Sequence, residues 1–559
     1  MERALPSSLH MLSSSPLRLL RILPGALLIG ACLALPASVT PALAQAPRAE
    51  LEVATVASSP ARGRKPPAQK RTRRRTTKRS TSRSSKRRVT RAAAAPRVPA
   101  WTSPRTASAL ATDLGTTLAS HTRSGQWGVL VVSLSRGDTL FEHNPDMQLQ
   151  PASTMKMFTA ALALDHFGPD HQFSTDVLHD GTLAAGTLAG SLYLRGGGDP
   201  TVSYRFTTGD EGPFDSLARA VAATGIRHVK GDIIGDAGAF EARRIPEGWQ
   251  SRYLAASYAA PVSALSVNEN LVWVVVRPGT SSAEVSLEPA TSTAAIVNKV
   301  RLVKGGRGGS ISVRRVNGTL EARGSIGSRS GPLRYSLVID DPALFAAGAF
   351  RAALEKAGVT VDGGAHVGSA PAAATKVTTM PSQPLSKIVA LMDRESINHY
   401  AELLFRDAAH AVTPEQPGSA ETGQAAMRSF LGGKVGAAAT SYVTSDGSGL
   451  SVNDLVTPRM MIQLLSYADR APWAPVFHAS LPVAGESETL RGRMRATPAQ
   501  GNLHAKTGTT NTVASLGGYV TAQNGELLAF SFIYNGGDRW NAKATMDSMG
   551  ATLANFLRD

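Results

Sequence analysis

Apolar positions near the start of the folded region recur at a spacing of four, at Leu110, Leu114 and Leu118. This spacing predicts a helix that covers a sheet. Residues 127–144 then hold two apolar runs around the turn Ser-Arg-Gly-Asp, the pattern of a β-hairpin. Pro151 suits the first turn of a helix, so we expect the next apolar run to form a helix that begins close to Ser153. The order helix, hairpin, helix places Ser153 at the edge of a sheet.

The C-terminal end of the chain predicts more of the same sheet. Two apolar runs, "ASLGGYVTA" and "ELLAFSFIYN", flank Gln523-Asn524-Gly525, a strong hairpin signal. A closing amphipathic helix follows, because a set of apolar residues shares one face. These residues are Met546, Met549, Leu553, Phe556 and Leu557. The first and last segments are therefore predicted to be two halves of one α/β domain.

Between about residues 174 and 378 the chain consists mostly of short strand patterns with glycine-rich punctuation. One of them, "SISVRRVNGTLEARG", predicts a hairpin that turns at Asn317-Gly318. The run "LRGGGDP" predicts a tight turn and not a phosphate-binding loop, because no Gly-Lys-Ser/Thr follows it and no helix opens after it. This interruption is long enough for one or two inserted domains.

Most of the net charge of +17 over 559 residues comes from one segment. Residues 61–91 hold 15 lysines and arginines and no acid, and the part of the chain that is predicted to fold is close to neutral. Residues 45–100 have almost nothing to bury and are predicted to be a disordered tether. The run lacks the interleaved aromatic residues that stack on bases, so we do not expect a nucleic-acid partner. We expect it to contact anionic wall polymer or a membrane surface.

The N-terminus has the order of a secretory signal. Arg18 and Arg21 precede a short apolar run and an Ala-Leu-Ala site that ends at Ala44. Residues 1–44 are therefore predicted to be a signal peptide, and the protein to be exported to the periplasm or cell envelope. An alternative is lipid attachment at Cys32, which ends the stretch "IGAC". With cleavage after Ala44 the mature chain has no cysteine, so disulfides and thiol chemistry are excluded.

Ser153 and Lys156 are three positions apart and so share one face of a helix. A serine hydroxyl becomes a good nucleophile only when a base takes its proton. The free N–H groups of a helix N-terminus can stabilise the oxyanion that forms. Lys156 can be that base if burial or another cation lowers its pKa. The pair alone is a weak signal, since a lysine beside an apolar run often reaches to solvent.

A second element, Lys506-Thr507-Gly508-Thr509, comes just before the C-terminal hairpin, as an edge strand would. Lys506 can hold a substrate carboxylate and lower the pKa of Lys156. Gly508 allows close approach of the backbone, and the Thr509 N–H can point at an oxyanion.

A third element, Ser-x-Asn, occurs three times: Ser266-Val-Asn268, Ser396-Ile-Asn398 and Ser451-Val-Asn453. Ser396 and Asn398 lie between two helical patterns in the resumed α/β domain, and we assign the site to them, with Ser451 as the alternative. Ser396 can relay a proton, and Asn398 can bond both Lys156 and a substrate amide. No metal or cofactor is expected, because the twelve histidines show no ligand spacing and no H-E-x-x-H occurs.

S-x-x-K, S-x-N and K-T-G in this order resemble the penicillin-recognising serine acyltransferases, which include β-lactamases and D,D-peptidases. The stretches "LYLRGGGDPTV", "YAAPVSALSVNEN" and "SDGSGLS" are similar to class C low-molecular-mass penicillin-binding proteins, the D-alanyl-D-alanine carboxypeptidase/endopeptidase family. The resemblance runs from about residue 105 to the end and does not cover the basic tether.

The resemblance implies an α/β fold with a β-lactamase/transpeptidase-like domain, an antiparallel sheet with helices on both faces, interrupted by inserted β-rich domains. It implies three domains: domain I at 101–173 and 379–559, domain II at 174–198 and 282–378, and domain III at 199–281, nested in II. It also implies a serine D,D-peptidase that cleaves D-alanyl-D-alanine termini and D,D cross-links of peptidoglycan stem peptides.

In that family's scheme Ser153 is the nucleophile, Lys156 its base, and Ser396 and Asn398 the second element. The substrate carboxylate is received by Lys506, Thr507 and Thr509, and the oxyanion by the N–H groups of Ser153 and Thr509. β-Lactams would acylate the same serine.

Two alternative functions are open. A β-lactamase of class A type uses a separate glutamate, but the first acid after Asn398 is Glu402, one turn along a helix, where a structural role is favoured. An inactive wall-binding protein that acts through its basic tail is the other alternative. The three intact motifs favour an active enzyme.

Overall fold

A computed structural model describes residues 101–122 and 124–558 of the chain. The predicted signal peptide and basic tether, residues 1–100, lie outside the described residues. Ten α-helices are formed by this part of the chain: α1 Ala107–His121, α2 Lys156–Phe167, α3 Asp215–Ala223, α4 Pro342–Lys356, α5 Leu385–Glu395, α6 Asn398–Val412, α7 Ala420–Phe430, α8 Pro458–Arg470, α9 Ala474–Ser480 and α10 Arg539–Ala554. None of them is both long and apolar enough to cross a membrane.

The same residues form twenty-two strands. They are β1 Gln126–Ser133, β2 Thr139–His143, β3 Ser174–His179, β4 Thr182–Ala184, β5 Thr187–Ala189, β6 Leu192–Gly196, β7 His228–Val229, β8 Ile233–Asp236, β9 Leu271–Pro278, β10 Ala283–Glu288, β11 Ile296–Val303, β12 Gly309–Val316, β13 Thr319–Gly327, β14 Leu333–Val338, β15 Thr360–Val361, β16 Ala365–Val367, β17 Thr375–Pro381, β18 Tyr442–Val443, β19 Leu455–Val456, β20 His504–Thr509, β21 Val513–Thr521 and β22 Leu527–Asn535.

The first and last segments form one five-stranded antiparallel sheet, in the order β2-β1-β22-β21-β20. One face packs on α1 and α10, with Leu114, Phe532 and Met549 in a shared apolar core. The other face packs on α2 and α8, where Leu130 and Ile533 join a second core. The predicted hairpins, the first helix and the closing helix are confirmed, and so is the prediction of one sheet built from both chain ends.

The inserted region contains four further sheets. Two of them, β16-β8-β6-β3-β17 and β15-β7-β5-β4, pack with α3 and α4. The other two are three-stranded, β10-β9-β14 and β11-β13-β12, and take all their strands from residues 271–338. The predicted turn at Asn317-Gly318 is confirmed, since both residues have positive φ and join β12 to β13. This is the antiparallel sheet with helices on both faces and a β-rich insertion that the sequence predicts.

The strand pairing does not follow the predicted inner boundaries, which put domain III at 199–281 within a domain II at 174–198 and 282–378. β8 lies in predicted domain III but pairs with β6 and β16 of predicted domain II. β9 pairs with β10 and β14, so residues 271–338 form the nested group of strands. The glycine at the end of β6 permits close contact with another segment, because a Cβ on Gly196 would lie 2.3 Å from the Ala264 carbonyl oxygen.

Candidate active site

Ser153 lies in a 3₁₀ turn, Ala152–Met155, that leads directly into α2. The sequence predicts a helix that begins close to Ser153, and the regular α-helix begins at Lys156. Ala152 has φ of +48°, a left-handed conformation that costs a residue with a side chain about 1–2 kcal/mol. The Pro151 carbonyl anchors the turn, since it accepts hydrogen bonds from Ser515 Oγ at 2.6 Å and Thr154 Oγ1 at 2.8 Å. Ser153 is thus presented at the sheet edge while its neighbours are buried.

Lys156 is fully buried and its amine contacts three oxygens. Nζ donates to Asn398 Oδ1 at 2.6 Å and to the Ser448 carbonyl at 2.7 Å, and it lies 3.1 Å from Ser153 Oγ. Because two of these oxygens are acceptors only, they take the two N–H groups that a neutral amine retains. The lone pair of that neutral amine is then left pointing at the Ser153 hydroxyl.

Burial lowers the pKa of Lys156 to about 8. Desolvation is the leading cause, since it penalises the charged ammonium. Four buried carboxyl groups oppose it and raise the pKa: Asp446, Asp393, Glu402 and Asp454. A lysine in water has a pKa near 10.4, so the surroundings of Lys156 increase its neutral fraction at neutral pH by more than a hundredfold.

The second element occupies the corner between α5 and α6. Ser396 caps α5 in a left-handed conformation, with φ of +61°, and Asn398 opens α6. The Asn398 amide donates to the Tyr258 carbonyl at 2.8 Å, which turns Oδ1 toward Lys156. The left-handed residue reverses the chain within two positions and brings both side chains to the same side of the corner.

The third element is β20, which ends the order of the five-stranded sheet and pairs along its length with β21. Lys506 is fully buried and donates to Ser396 Oγ at 2.9 Å and to the Thr507 carbonyl at 3.0 Å. Its pKa is lowered to about 7, chiefly by burial and next by the charge of Lys156, while the carboxyl of Asp393 opposes the shift. Charge repulsion between the two buried lysines therefore favours a state in which one of them is neutral.

Gly508 lies against the serine turn. A Cβ at this position would lie 2.1 Å from Ser515 Oγ, 2.6 Å from the Pro151 carbonyl oxygen and 3.1 Å from the Ser153 nitrogen. Only glycine permits this approach, because a Cβ would contact the backbone of the turn. Strand alternation then turns Thr507 and Thr509 to the opposite face of β20.

The three elements surround a cleft of ≈ 330 Å³ at the sheet edge. Seven side chains line it: Ser153, Ser396, Thr489, Arg493, Thr507, Thr509 and Lys543. Four of these residues, Ser153, Ser396, Thr507 and Thr509, are site residues that the sequence predicts. Three other predicted residues do not line the cleft but are hydrogen-bonded behind it: Lys156 to Ser153, Asn398 to Lys156, and Lys506 to Ser396. The sequence does not predict Thr489, Arg493 or Lys543, which reach the cleft through long-range packing.

The other two Ser-x-Asn motifs do not line this cleft. Ser266 is buried in the insertion, where its hydroxyl donates to the Ser263 carbonyl at 2.7 Å. Ser451 donates through its hydroxyl to the Glu247 carbonyl at 2.8 Å and through its N–H to Asp446 Oδ2 at 2.7 Å. Both serines hold loops in place.

The loop that carries Ser448 was not predicted as part of the site. Asp446 is fully buried and accepts hydrogen bonds from the N–H groups of Ser448 at 2.8 Å and Gly449 at 2.6 Å. These bonds hold the Ser448 carbonyl toward Lys156. The stretch "SDGSG" carries a usable signal, since an Asp that bonds N–H groups two and three residues on is typical of a tight turn.

Comparisons with known proteins identify the family and the fold. A family model described as the D-Ala-D-Ala carboxypeptidase 3 (S13) family matches residues 110–556. The chain is 35% identical over 447 residues to the D-alanyl-D-alanine carboxypeptidase of Actinomadura sp. (strain R39), covering 77% of this chain and 81% of that protein. The crystal structure of penicillin binding protein 4 (dacB) from Haemophilus influenzae has the same fold, with a TM-score of 0.64, 24% identity, and coverage of 76% of this chain and 93% of that one. The structure of that protein complexed with a β-lactam gives a TM-score of 0.59, again at 24% identity over 76% of this chain and 93% of that one.

Proposed function

The chain belongs to the D-Ala-D-Ala carboxypeptidase 3 (S13) family, and from this premise we propose that Ser153 is the nucleophile of a serine D,D-peptidase. The enzyme is a D-alanyl-D-alanine carboxypeptidase of the penicillin-binding kind, and its substrates are peptidoglycan stem peptides. The observation that carries the residue assignment is the buried amine of Lys156, held between Ser153 and Asn398.

Acylation begins when the Ser153 oxygen attacks the carbonyl carbon of the penultimate D-alanine. The hydroxyl proton passes to the lone pair of neutral Lys156, 3.1 Å away. The oxyanion forms next to the N–H groups of Ser153 and Thr509, which Gly508 lets approach each other. The C–N bond then breaks, and the leaving amine takes the proton from Lys156 with Ser396 as the relay.

Hydrolysis of the acyl-enzyme reverses these roles. A water attacks the ester carbonyl and gives its proton to Lys156, and the Ser153 oxygen leaves and takes that proton back. The product is a stem peptide with one D-alanine fewer, and the enzyme returns to its starting state. β-Lactams acylate Ser153 by the same attack, because their amide takes the place of the peptide bond.

Lys506 anchors the terminal carboxylate of the substrate, together with Thr507 and Thr509. A carboxylate beside Lys506 raises the pKa of that lysine and keeps it charged. The charge on Lys506 in turn favours the neutral form of Lys156, since the two amines repel. Substrate binding therefore helps to produce the active base.

Glu402 does not serve as a separate base in this scheme. One oxygen is 2.9 Å from the Arg406 guanidinium and the other accepts the Gly447 N–H at 3.1 Å, so neither is free to activate a water. Burial raises the pKa of Glu402 to about 7, and the ion pair with Arg406 opposes that rise. A role in holding α6 to the 446–449 loop accounts for these contacts.

We also propose that the enzyme is exported to the periplasm or cell envelope, that it cleaves D,D cross-links, and that residues 61–91 hold it to an anionic wall or membrane surface. These proposals rest on the order of charged and apolar residues in 1–100 and on the family's substrates. A variant that lacks residues 45–100 of the mature chain should cleave a soluble peptide normally and bind isolated cell walls less. Loss of peptide cleavage in this variant would contradict the proposal that residues 45–100 act only as a tether.

The proposed function is tested by release of D-alanine from a diacetylated Lys-D-Ala-D-Ala peptide. We expect the wild type to release one D-alanine per peptide, and Ser153→Ala to release none above the uncatalysed rate. Ser451→Ala is the matched control, because Ser451 belongs to a Ser-x-Asn motif outside the cleft. An inactive wall-binding protein would release no D-alanine in any variant, and activity in Ser153→Ala would exclude our nucleophile.

A further inference from the structure

Two cations line the cleft beyond the Thr507 and Thr509 side chains. Arg493 comes from the loop before β20, and Lys543 from the second turn of α10. The Arg493 side chain reaches the backbone of α10, where Nη2 donates to the Lys543 carbonyl oxygen at 3.4 Å. No carboxylate is among the seven lining side chains, so this wall of the cleft is positively charged.

The cations are only partly neutralised by the protein. Arg493 pairs with Asp547 at 2.7 Å. Within residues 101–122 and 124–558 Lys543 has no ion-pair partner, and its ammonium lies 4.9 Å from the centre of the Trp540 ring. Burial and the charges of Arg493 and Arg539 lower the pKa of Lys543, so a bound anion would stabilise its charged form.

The place of these cations relative to the reaction follows from the strand geometry. Lys506 and Gly508 face the serine turn, whereas Thr507 and Thr509 face the side of the sheet on which α10 packs. A substrate carboxylate on the two threonines belongs to the residue that leaves. Any extension of that leaving residue therefore continues toward Arg493 and Lys543.

We propose that Arg493 and Lys543 bind a second carboxylate, carried by the leaving peptide of a D,D cross-link. The inference rests on the proposed function, because it assumes that the scissile bond lies over Ser153. The leaving half of a cross-link is a whole stem peptide, and it carries further carboxylates besides the one next to the scissile bond. A leaving D-alanine carries only that one carboxylate. The two cations thus favour cross-link cleavage over removal of a terminal D-alanine.

The rim of the cleft fits an extended leaving group. Trp540 is 69% exposed and stands beside Lys543 and Arg539 at the start of α10. An exposed tryptophan between two cations offers an apolar surface and charge together, as peptide-binding surfaces often do. Trp540 is not among the residues that line the cleft, so we expect only a leaving peptide that extends past Lys543 to contact it.

The test compares three diacetylated peptides, Lys-D-Ala-D-Ala, Lys-D-Ala-D-Glu and Lys-D-Ala-D-Gln. D-Glu and D-Gln have the same shape and differ in one charge, so the ratio of their kcat/KM values reports binding of the second carboxylate. We expect the wild type to prefer D-Glu by about fivefold, the size of one partly exposed charge-assisted hydrogen bond. Lys543→Gln should bring the ratio close to one, and 0.5 M salt should reduce it in the wild type.

Lys434→Gln is the control, since Lys434 pairs with Asp165 and does not line the cleft. Its ratio should equal that of the wild type. A loss of folded enzyme cancels in the ratio, because both peptides are measured on one preparation. An unchanged ratio in Lys543→Gln would overturn the inference. If the kcat/KM values for D-Glu and D-Gln also fell by the same factor, Lys543 would be assigned to the first carboxylate instead. Failure of the wild type to cleave any of the three peptides would instead overturn the proposed function.

Discussion

Replacement of Gly508 by alanine tests the contact between strand β20 and the serine turn. The new Cβ would lie 2.6 Å from the Pro151 carbonyl oxygen and 2.1 Å from Ser515 Oγ. The Ser515 hydroxyl can rotate away, at the loss of its bond to Pro151, but the carbonyl belongs to the backbone. The strand and the turn must therefore separate by about 0.8 Å before the contact reaches the ordinary van der Waals distance of 3.4 Å.

This separation moves the Thr509 N–H away from the Ser153 N–H. A displacement of this size at a reacting centre, or the loss of one oxyanion donor, lowers the rate by about a hundredfold. The strain should also lower the free energy of unfolding by about 1–3 kcal/mol. We expect Gly508→Ala to be acylated about a hundredfold more slowly than the wild type at pH 7.5, with a modestly lower Tm.

The assay is the second-order rate of labelling by a fluorescent penicillin, with thermal unfolding measured in parallel. Gly331→Ala is the control, because a Cβ there meets no atom within 4 Å. Adding Ser515→Ala to Gly508→Ala should not restore the rate, since the contact with the Pro151 carbonyl remains. Wild-type labelling of Gly508→Ala, or full rescue by Ser515→Ala, would refute the argument that the backbone contact sets the geometry of the oxyanion site.

Two further predictions concern the base. The penicillin acylation rate should follow a bell-shaped pH profile with apparent pKa values of about 7 and 8, which belong to the lysine pair. The rate rises with pH as the pair loses its first proton, because a neutral base forms. The rate falls as the pair loses its second proton, because the carboxylate of the penicillin then has no cation to bind it. A profile that rises without limit to pH 10 would contradict this. Asn398→Asp places a negative charge 2.6 Å from Lys156 Nζ and should raise the pKa of Lys156 by at least about one unit. This change should lower the acylation rate at pH 7 about tenfold and move the rising limb of the profile to higher pH. A rising limb at the wild-type pH in Asn398→Asp would show that Lys156 is not the titrating base.

Local sequence signals were sufficient for the elements that carry the site. The Asn524-Gly525 turn specifies its hairpin, and the apolar repeat in 546–557 specifies the closing helix, because both depend on residues close in the chain. The spacing of Ser153 and Lys156 predicts their contact for the same reason. The helical patterns on either side of Ser396 distinguish it from the serines of the other two Ser-x-Asn motifs.

Pairing between strands that are far apart in the chain could not be predicted from the sequence. β6 and β8 lie side by side although the chain between them forms α3 and β7, and no residue in either strand identifies the other as its partner. Arg493 and Lys543 come to the cleft from separate elements, so no local pattern predicts that they lie together. The buried Asp446, which positions the Ser448 carbonyl, looks like an ordinary turn residue until the fold brings it beside Lys156.

Acylation of Ser153 is the central claim, and mass spectrometry of the penicillin-treated protein tests it most directly. The wild type should gain one penicilloyl group, and digestion should place it on the peptide that contains Ser153. Ser153→Ala should gain none under the same conditions while keeping the Tm of the wild type. An adduct on another residue, or an adduct that persists in folded Ser153→Ala, would contradict the account.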